Sequence, residues 1–302
     1  MTKSNKRFYS YNEYLKEVFG SKVHKLIIDA GFSCPNRDGT ISRAGCIFCD
    51  ESGSFGQTHS NLLSVQDQVE TAIENLPKRF KAEKFIAYFQ AYSNTYKPVE
   101  ELKKIYSDAL IDPRVVGISI GTRPDCIDEK KLELISSLKF PQLELGLQTA
   151  HDKTLKLINR GHNLETFIKG YELAKSFGIK VCVHLILGLP EENREMMMET
   201  AKLMADLKVD GVKLHVLTIL KGSKLEHFKP QPEIMSMEDY CGLCCDILEI
   251  LPPTTTIQRL AGSGLRSELI SPLWVKGKFE TLNLIDKFLE QRDSYQGKFY
   301  KG

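Results

Sequence analysis

The sequence predicts an α/β fold: a partial (βα)6 TIM-like barrel followed by a C-terminal α/β extension. Two observations lead to this prediction. Six short, largely apolar runs alternate with amphipathic segments that begin with helix-capping residues. The chain has 302 residues, 42% of them hydrophobic, which is enough for one barrel-sized domain. Because six strands cannot close an eight-stranded barrel, we expect a curled sheet with one open side.

The six predicted strands are apolar along most of their length, as is typical of parallel strands buried on both faces. They cover residues 25–32, 85–92, 115–122, 143–149, 181–189 and 212–220. The segments between them begin with recognisable helix-start residues: Ser64, Pro98, Asp128, Asn163 and the pair Pro190-Glu191. Right-handed connections would bring the carboxyl ends of all six strands to one face, where functional loops collect.

The pattern changes near residue 225. Ser236 should cap a helix that ends near residue 251, residues 254–260 resemble a further strand, and a glycine-rich turn covers residues 262–264. A last helix is predicted over residues 279–291. We therefore divide the chain into an N-terminal segment (1–24), a barrel (25–224) and an extension (225–302) that packs beside the barrel.

Composition narrows the function only slightly. Lys and Arg total 41 against 39 Asp and Glu, so the net charge of +2 says little about partners. A local basic cluster at Lys97, Lys103 and Lys104 is either a solvated helix face or an RNA-contacting patch. There is no apolar stretch of bilayer-spanning length and no signal-peptide pattern, so we expect a cytoplasmic protein. Its eight cysteines would then be reduced thiols or metal ligands.

Three cysteines near the N-terminus are the strongest functional signal. Eleven residues separate Cys34 from Cys46, and two separate Cys46 from Cys49. A Cys-x-x-Cys pair can place two thiolates on one metal ion or one iron–sulfur cluster. Three thiolates leave one iron of a [4Fe-4S] cluster free to chelate S-adenosyl-L-methionine (SAM). The alternatives are a zinc site with His59 as its fourth ligand, and three unrelated buried thiols.

Further motifs follow in order along the predicted strand ends. They are Arg123-Pro124-Asp125 after the third strand, residues 144–149 in the fourth, Asn159-Arg160-Gly161-His162, residues 183–190 in the fifth, and residues 213–215 and 221–225 around the sixth. With the Cys-x-Phe-Cys pair, this set resembles the radical SAM superfamily, in particular its Elongator-catalytic-subunit-like branch and the short bacterial YhcC/YtqA-type members. In the commoner superfamily motif, three residues separate the first two cysteines. The separation of eleven residues here resembles the spacing in the Elongator-catalytic-subunit-like branch.

The resemblance implies a [4Fe-4S] cluster and SAM as cofactors, with Cys34, Cys46 and Cys49 as the metal ligands. Phe48 would shield the cluster from water. Other residues implied in SAM binding are Gln90, Gln148, Arg160, His184, Leu187, Val216 and Leu217. Of these, Gln90 would contact the amino end of SAM, Arg160 would hold a carboxylate, and Val216 and Leu217 would face the adenine. The alternative for Gln90 and Gln148 is that they are strand-end groups bonded to backbone.

Several residues have two interpretations at this stage. Arg123 is either a contact to substrate or SAM, or half of a self-contained ion pair with Asp125. His162 and His184 are either acid–base or substrate-contacting groups, or hydrogen-bonded structural histidines. The cysteines at positions 241, 244 and 245 would share one helix face, which favours buried thiols over a second cluster.

The resemblance further implies an enzyme that acts on the wobble uridine of tRNA. The reaction expected of the short members is conversion of carboxymethylaminomethyluridine to aminomethyluridine, started by hydrogen abstraction from the methylene beside the carboxylate. Arg123, Arg160 or a lysine would hold that carboxylate, His162 would assist, and an electron donor such as flavodoxin or ferredoxin would reduce the cluster. At 302 residues, we expect no acetyltransferase domain. The alternatives are a radical SAM enzyme for a small metabolite such as a tetrapyrrole, and a zinc-binding RNA adaptor.

Overall fold

The structure, a computed structural model, describes residues 6–50, 63–76, 81–262 and 268–302. Its centre is a curled parallel sheet of seven strands. The strands are β1 (Val23–Ile28), β2 (Lys84–Phe89), β3 (Val115–Thr122), β4 (Pro141–Gln148), β5 (Lys180–Leu187), β6 (Gly211–Val216) and β8 (Thr256–Arg259). They lie side by side in the order β1-β2-β3-β4-β5-β6-β8. This architecture confirms the predicted α/β partial barrel.

Helices cover the outside of the sheet. They are α1 (Tyr11–Phe19), α2 (Val65–Glu74), α3 (Val99–Ala109), α4 (Glu129–Ser136), α5 (Asp152–Leu157), α6 (Leu164–Ser176), α7 (Arg194–Asp206), α8 (Met237–Ile250) and α9 (Lys278–Gln291). Side chains of Ser64, Asp128, Asn163 and Ser236 accept hydrogen bonds from the first turns that they precede, as predicted. No helix in the described ranges is long and apolar enough to cross a membrane.

The structure differs from the sequence prediction in one helix start, one strand end and two additional helices. The helix after β5 begins at Arg194, capped by the Asn193 side chain, because residues 188–193 form a turn first. The predicted strand 212–220 ends at Val216, and the separate β7 (Ile219–Leu220) pairs with β9 (Leu269–Ser271). Helices α1 and α5 were not predicted. The glycine-rich turn at residues 262–264 lies largely outside the described residues.

The C-terminal extension contributes directly to the main sheet. Strand β8 pairs in parallel with β6, with Gly211 opposite Thr256 and Val212 opposite Ile257. Helix α8 supplies buried core side chains, including Leu243 and Leu248. The sheet therefore has one more strand than the six that the sequence predicted for the barrel. The proposed boundary between residues 224 and 225 stays a prediction about how the chain is divided.

The N-terminal segment lies across the gap between the two edge strands. The Ile257 N–H in β8 donates to the Tyr9 carbonyl at 2.8 Å, immediately before α1. From the other edge strand, Lys25 Nζ of β1 donates to Gln258 Oε1 of β8 at 2.9 Å. Helix α1 packs its buried Tyr11 and Leu15 against the sheet beside Val23. These contacts close the lower end of the barrel and leave the strands' carboxyl ends open for a cavity.

Candidate active site

A cavity of about 310 Å³ opens at the carboxyl ends of the strands. This is the face where parallel α/β barrels place their functional loops. Its wall contains most of the site residues predicted from sequence: Cys34, Cys46, Phe48, Cys49, Gln90, Arg123, Gln148, Arg160, His184, Val216 and Leu217. The fold thus gathers residues that are up to 183 positions apart in the chain, from Cys34 to Leu217. Two predicted residues, Leu187 and His162, lie behind this wall.

The cysteine loop follows β1 and is held against the segment after α5. Asn36 Nδ2 donates to the Asn159 carbonyl at 2.6 Å, and Asn159 Nδ2 donates to the Gly45 carbonyl at 2.7 Å. The Ile47 N–H donates to the Ile158 carbonyl at 3.0 Å. These reciprocal bonds hold the part of the loop around Cys46 by backbone and amide contacts.

Nitrogen donors surround the cysteine sulfurs. Asn36 Nδ2 lies 3.5 Å from Cys46 Sγ, and Arg160 Nη1 lies 3.6 Å from the same atom. Arg37 Nη1 lies 3.4 Å from Cys49 Sγ and also donates to the Asp50 carbonyl at 2.6 Å. Donors of this kind stabilise thiolates and tune the potential of an iron–sulfur cluster. The residues present therefore fit a thiolate-bound cluster. Asn36 and Arg37 were missed from sequence, although both lie between the cysteine ligands.

The zinc alternative has less support in this arrangement. Among the described residues, no group of three His, Cys, Asp or Glu side chains is close enough to hold a single metal ion. Cluster ligands bind separate iron atoms and do not need to converge on one point. His59, the suggested fourth zinc ligand, lies outside the described residues.

Gly146 makes room for two polar side chains at the end of β4. A Cβ at this position would lie 2.7 Å from Arg160 Nη2 and 2.7 Å from Gln148 Nε2. Arg160 Nη2 donates to the Gly146 carbonyl at 2.6 Å, while Nε of the same buried guanidinium has no partner among the described residues. Gln148 has left-handed backbone (φ 82°), which ends the strand and turns the chain at the cavity wall. Gln148 and Arg160 are thus available to an anionic or hydroxyl-bearing cofactor.

Gln90 directly follows β2, at the same level of the cavity wall. Its N–H donates to the Ile28 carbonyl at 3.3 Å, so its backbone continues the sheet while its side chain faces the cavity. Ala91 and Tyr92 follow with φ values of 76° and 61°. Two successive left-handed non-glycine residues are strained, and strain of this kind collects at functional sites. The turn places Tyr92 in the wall, 5.7 Å from the Arg37 guanidinium.

Arg123 is committed to contacts within the protein. Its Nε and Nη2 donate to the Asp125 carboxylate at 2.8 and 2.7 Å, and its Nη1 donates to the Arg160 carbonyl at 2.8 Å. It is 2% exposed. This is the geometry of the self-contained ion pair, the second interpretation of the Arg-Pro-Asp motif. Arg123 thereby supports the segment that carries Arg160.

His162 lies behind the cavity wall. Its Nε2 is 3.3 Å from the Gly146 carbonyl and its Nδ1 is 3.2 Å from the Asn163 carbonyl. Burial, helped by Arg160 and Arg123, lowers the pKa of His162 to about 3, so the ring is neutral at pH 7. The placement matches the hydrogen-bonded structural alternative; a role in acid–base chemistry stays a prediction.

Apolar side chains form the opposite side of the cavity. Phe48 packs with Leu217 and other residues of a small apolar cluster, and Val216 lies beside them in the wall. The Leu217 N–H donates to the Leu187 carbonyl at 2.8 Å, so this amide is already used. Leu187 itself is 2% exposed and belongs to the barrel core. An adenine at this position would meet the side chains of Val216 and Leu217 rather than the Leu217 amide.

Deeper in the cavity the barrel interior is charged. We name as the interior polar cluster the side chains that hydrogen-bond to Glu144, together with Glu144 itself: Lys25, Tyr88, Ser119, Glu144, His184 and Lys213. The fully buried Glu144 carboxylate accepts from Lys25 Nζ at 2.7 Å, Tyr88 Oη at 2.7 Å, Ser119 Oγ at 2.9 Å and His184 Nε2 at 2.8 Å. Lys213 Nζ also donates to it, and to Tyr88 Oη at 3.0 Å.

The interior polar cluster sets unusual protonation states. Burial alone would raise the pKa of Glu144, but Lys213 and Lys25 hold it well below its usual range. Burial lowers the pKa of Lys213 to about 8 and that of His184 to about 4. His215, whose ring centroid is 5.3 Å from that of His184, also has a strongly lowered pKa through burial. Both histidines are therefore neutral at pH 7.

From sequence, only His184 received a site role in this region, although Glu144, Lys213 and His215 stand in the strand motifs. Lys25, Glu144 and Lys213 stand singly in largely apolar runs, and no sequence pattern shows that they converge. The remaining cysteines lie elsewhere: Cys241, Cys244 and Cys245 are fully buried in α8, where Cys241 and Cys245 contact carbonyls of α9 at 3.6 and 3.7 Å.

Comparison with known proteins identifies the family. Residues 34–204 match the family model of the radical SAM superfamily, and residues 209–291 match that of the radical SAM C-terminal domain. The chain is 43% identical to the uncharacterized protein YtqA of Bacillus subtilis, over 99% of this chain and 94% of that protein. It is 34% identical to the tRNA uridine(34) acetyltransferase of Methanocaldococcus infernus, over 47% of this chain and 28% of that protein.

A solved structure shows the same fold. The archaeal Elp3 of Methanocaldococcus infernus, with an N-terminal deletion, superposes with a TM-score of 0.69 at 19% identity, covering 91% of this chain and 64% of that one. The cysteine spacing and the curled parallel sheet are consistent with the superfamily that the two matching family models name. The chain therefore belongs to the radical SAM superfamily, whose enzymes use a [4Fe-4S] cluster and SAM.

Proposed function

We propose that this radical SAM enzyme modifies the wobble uridine of tRNA and converts carboxymethylaminomethyluridine to aminomethyluridine. The observation that carries the tRNA proposal is the 34% identity to a tRNA uridine(34) acetyltransferase, whose name assigns its chemistry to uridine 34. That match covers 28% of the relative, so acetyl transfer is not carried over to this chain. Removal of a carboxymethyl group requires a site that binds its carboxylate, and the charges of the cavity wall favour binding of an anion.

The cavity wall has more cationic than carboxylate side chains, although the Arg123 charge is neutralised by Asp125. Of the described residues that line it, five are cationic and one is a carboxylate: Arg37, Arg123, Arg160, Lys213 and Arg259 against Glu144. Low local dielectric strengthens the attraction of such a wall for anions. A thiolate-bound cluster, the carboxylate of SAM and an acidic uridine substituent are all anionic. This charge balance supports an acidic substrate over a neutral one.

The roles of the chain's own residues follow from their positions. Cys34, Cys46 and Cys49 would hold the cluster, and the N–H groups of Arg37 and Arg160 would stabilise its sulfur ligands. When bound, the cluster and SAM would supply a 5′-deoxyadenosyl radical that removes hydrogen from the methylene beside the carboxylate. SAM would be the two-electron oxidant, giving methionine and 5′-deoxyadenosine, and hydrolysis would release the two carbons as glyoxylate and leave the amine. Gln90, Gln148 and the free Nε–H of Arg160 would orient polar groups of SAM. The apolar residues opposite them exclude water that would compete with this chemistry.

Mass spectrometry of tRNA nucleosides from a strain lacking this gene tests the proposal. We expect carboxymethylaminomethyluridine to accumulate and aminomethyluridine to be lost. The wild-type gene should restore the profile, whereas a Cys46→Ala gene should not. An unchanged nucleoside profile in the deletion strain would overturn the proposal.

Binding of unmodified and modified tRNA gives a second test. If Lys and Arg side chains contact phosphates, log Kd should rise steeply and linearly with log salt. Lys103 and Lys104 are exposed on α3 and offer a charge-reversal variant. Salt-independent or absent tRNA binding would favour a small-metabolite substrate.

A further inference from the structure

The interior polar cluster has more positive than negative charge. Glu144 is the carboxylate that both Lys25 and Lys213 contact. His184 and its neighbour His215 are neutral, so the two ammonium groups and the one carboxylate leave a net charge of +1; Lys213 and Glu144 are buried, and the Lys25 side chain is 20% exposed. Burying charge is costly, and an apolar layer of the same volume would often be as stable. An ionic layer at the bottom of a cavity therefore indicates a binding role.

Lys213 is the ammonium group that reaches the cavity. It is 5% exposed and lines the wall together with Glu144, His184 and His215. Lys25 lies behind them and is directed toward Gln258 and Glu144, without lining the cavity. The same carboxylate thus has one ammonium partner on the cavity side and another on the far side.

His215 provides a ring nitrogen for a ligand. Its Nε2 is buried and has no hydrogen-bond partner among the described residues, so the tautomer with hydrogen on Nε2 would have an unused donor. A neutral imidazole with a free ring nitrogen can donate to an incoming oxygen atom. His215 follows Lys213 by two residues on β6, so both side chains lie on the same face of the strand. Together they form a two-donor site for a planar anion.

Neither arginine expected to hold a substrate carboxylate is open to it: Arg123 is paired within the protein, and the unpartnered Nε–H of Arg160 is the group proposed to orient SAM. Arg123 is saturated by Asp125 and the Arg160 carbonyl, and Arg160 directs its two terminal nitrogens to Cys46 and Gly146. Both lie on the cysteine side of the cavity. We propose that Lys213 and His215 bind the carboxylate of the uridine substituent at the bottom of the cavity, and so select acidic over neutral substituents. This inference rests on the proposed function.

Calorimetric titration of the cluster-loaded protein tests the assignment. The ligands are the nucleoside carboxymethylaminomethyluridine and its primary amide, which has the same shape without the negative charge. The wild-type protein should bind the acid at least about tenfold more tightly than the amide, as expected for a charge-assisted hydrogen bond. Lys213→Gln should weaken acid binding by about tenfold or more and leave amide binding nearly unchanged, whereas His215→Phe should weaken it several-fold.

Lys25→Gln is the matched control. It removes the other ammonium partner of Glu144 and the same unit of charge, but not from the cavity wall. We expect its acid-to-amide preference to remain close to that of the wild type. Iron content and melting temperature are measured for every variant to identify any that fail to fold. If Lys213→Gln fails to fold, Lys213→Met is a second variant without the charge. Glu144 keeps four hydrogen-bond donors in either Lys213 variant.

Two outcomes would overturn the inference: equal binding of acid and amide by the wild type, or equal loss of acid binding in the Lys213 and Lys25 variants. Failure of the proposed function is recognised separately. If the deletion strain accumulates no carboxylated uridine, the proposed function is wrong whatever the titrations show. If the strain does accumulate it and Lys213→Gln keeps its preference for the acid, only the present inference is wrong.

Discussion

Glu144 illustrates how a single residue can determine the stability of the barrel interior. Its carboxylate is fully buried and accepts hydrogen bonds from two lysines, a tyrosine, a serine and a histidine. Glu144→Gln would leave the buried Lys213 ammonium, and the partly exposed Lys25 ammonium, without their shared counter-charge. We expect a loss of about 3–5 kcal/mol in the free energy of unfolding, measured by denaturant titration.

The exposed ion pair between Lys97 and Glu101 is the control for that prediction. Its nitrogen–oxygen distance is 3.2 Å, and the Glu101 side chain is 56% exposed. Glu101→Gln should change the free energy of unfolding by no more than about 0.5 kcal/mol. Equal effects of the two substitutions would show that the buried network does not stabilise the fold.

Lys213 should make acid binding depend on pH. Burial lowers its pKa to about 8, against the opposing effect of Glu144. Its ammonium form predominates below that value and is lost above it, so affinity for an acidic nucleoside should fall between about pH 7 and about pH 9. The charged and titratable groups that face it are Lys25, Tyr88, Glu144, Cys182, His184, His215 and Arg259. Calorimetry of Lys213→Gln over the same range should show no such fall.

Gly146 should control cofactor binding without controlling the fold. An alanine Cβ would lie 2.7 Å from the tips of Arg160 and Gln148, and both flexible side chains can move away. We expect Gly146→Ala to weaken SAM binding by about tenfold or more while the protein keeps its iron. Gly242→Ala in α8 is the control, because its nearest side-chain atom is 3.7 Å away. Unchanged SAM affinity in Gly146→Ala would contradict the assigned role of these side chains.

At the scale of elements, the cysteine loop and α8 use the same residue type differently. In the loop, Cys46 has nitrogen donors beside its sulfur and faces the cavity. In α8, Cys244 is buried in the core, and burial raises its pKa well above the usual range. A protonated, enclosed thiol is a packing group rather than a metal ligand.

Iron and sulfide analysis of two variants distinguishes these uses. Cys46→Ala should lose the cluster iron, because only two thiolates of the predicted set would remain to hold it. Cys244→Ala should retain it and lose about 1 kcal/mol of stability through the small cavity that it creates. Loss of iron from Cys244→Ala would instead point to a second metal centre in α8.

Element-level prediction from sequence succeeded where the signal is local. The caps at Ser64, Asp128 and Asn163 depend on residues within one helical turn, and the buried parallel strands depend on short apolar runs. The proposal that Cys34, Cys46 and Cys49 are cluster ligands could be made because their spacing is a motif. The contacts of Glu144 were not, because they depend on which residues of the other strands face the barrel interior. The role of Asn193 as a cap was hidden by the nearby Pro190, a helix-start residue in its own right.

At the scale of the whole molecule, the extension completes the sheet and core. Strand β8 pairs with β6, and α8 contributes the fully buried Ile247 and Leu248 to the core that the barrel shares with it. A chain ending at residue 224 would expose both the β6 edge and this apolar surface. We expect that fragment to show no cooperative thermal unfolding by circular dichroism.

A chain lacking only Lys301 and Gly302 is the control for the truncation, since both residues are exposed. Its melting temperature should equal that of the full chain. Cooperative unfolding of the 1–224 fragment would show that the barrel is an independent domain and that the extension only packs beside it.

The contact between Tyr9 and Ile257 also has a consequence for biosynthesis. A ribosome makes Tyr9 long before Ile257, so the two cannot meet until most of the chain has been translated. Contacts so distant in sequence form slowly and late. Until then the gap between β1 and β8 stays open in the nascent barrel. Closure of the barrel should therefore be one of the last steps of folding, after most of the chain has left the ribosome.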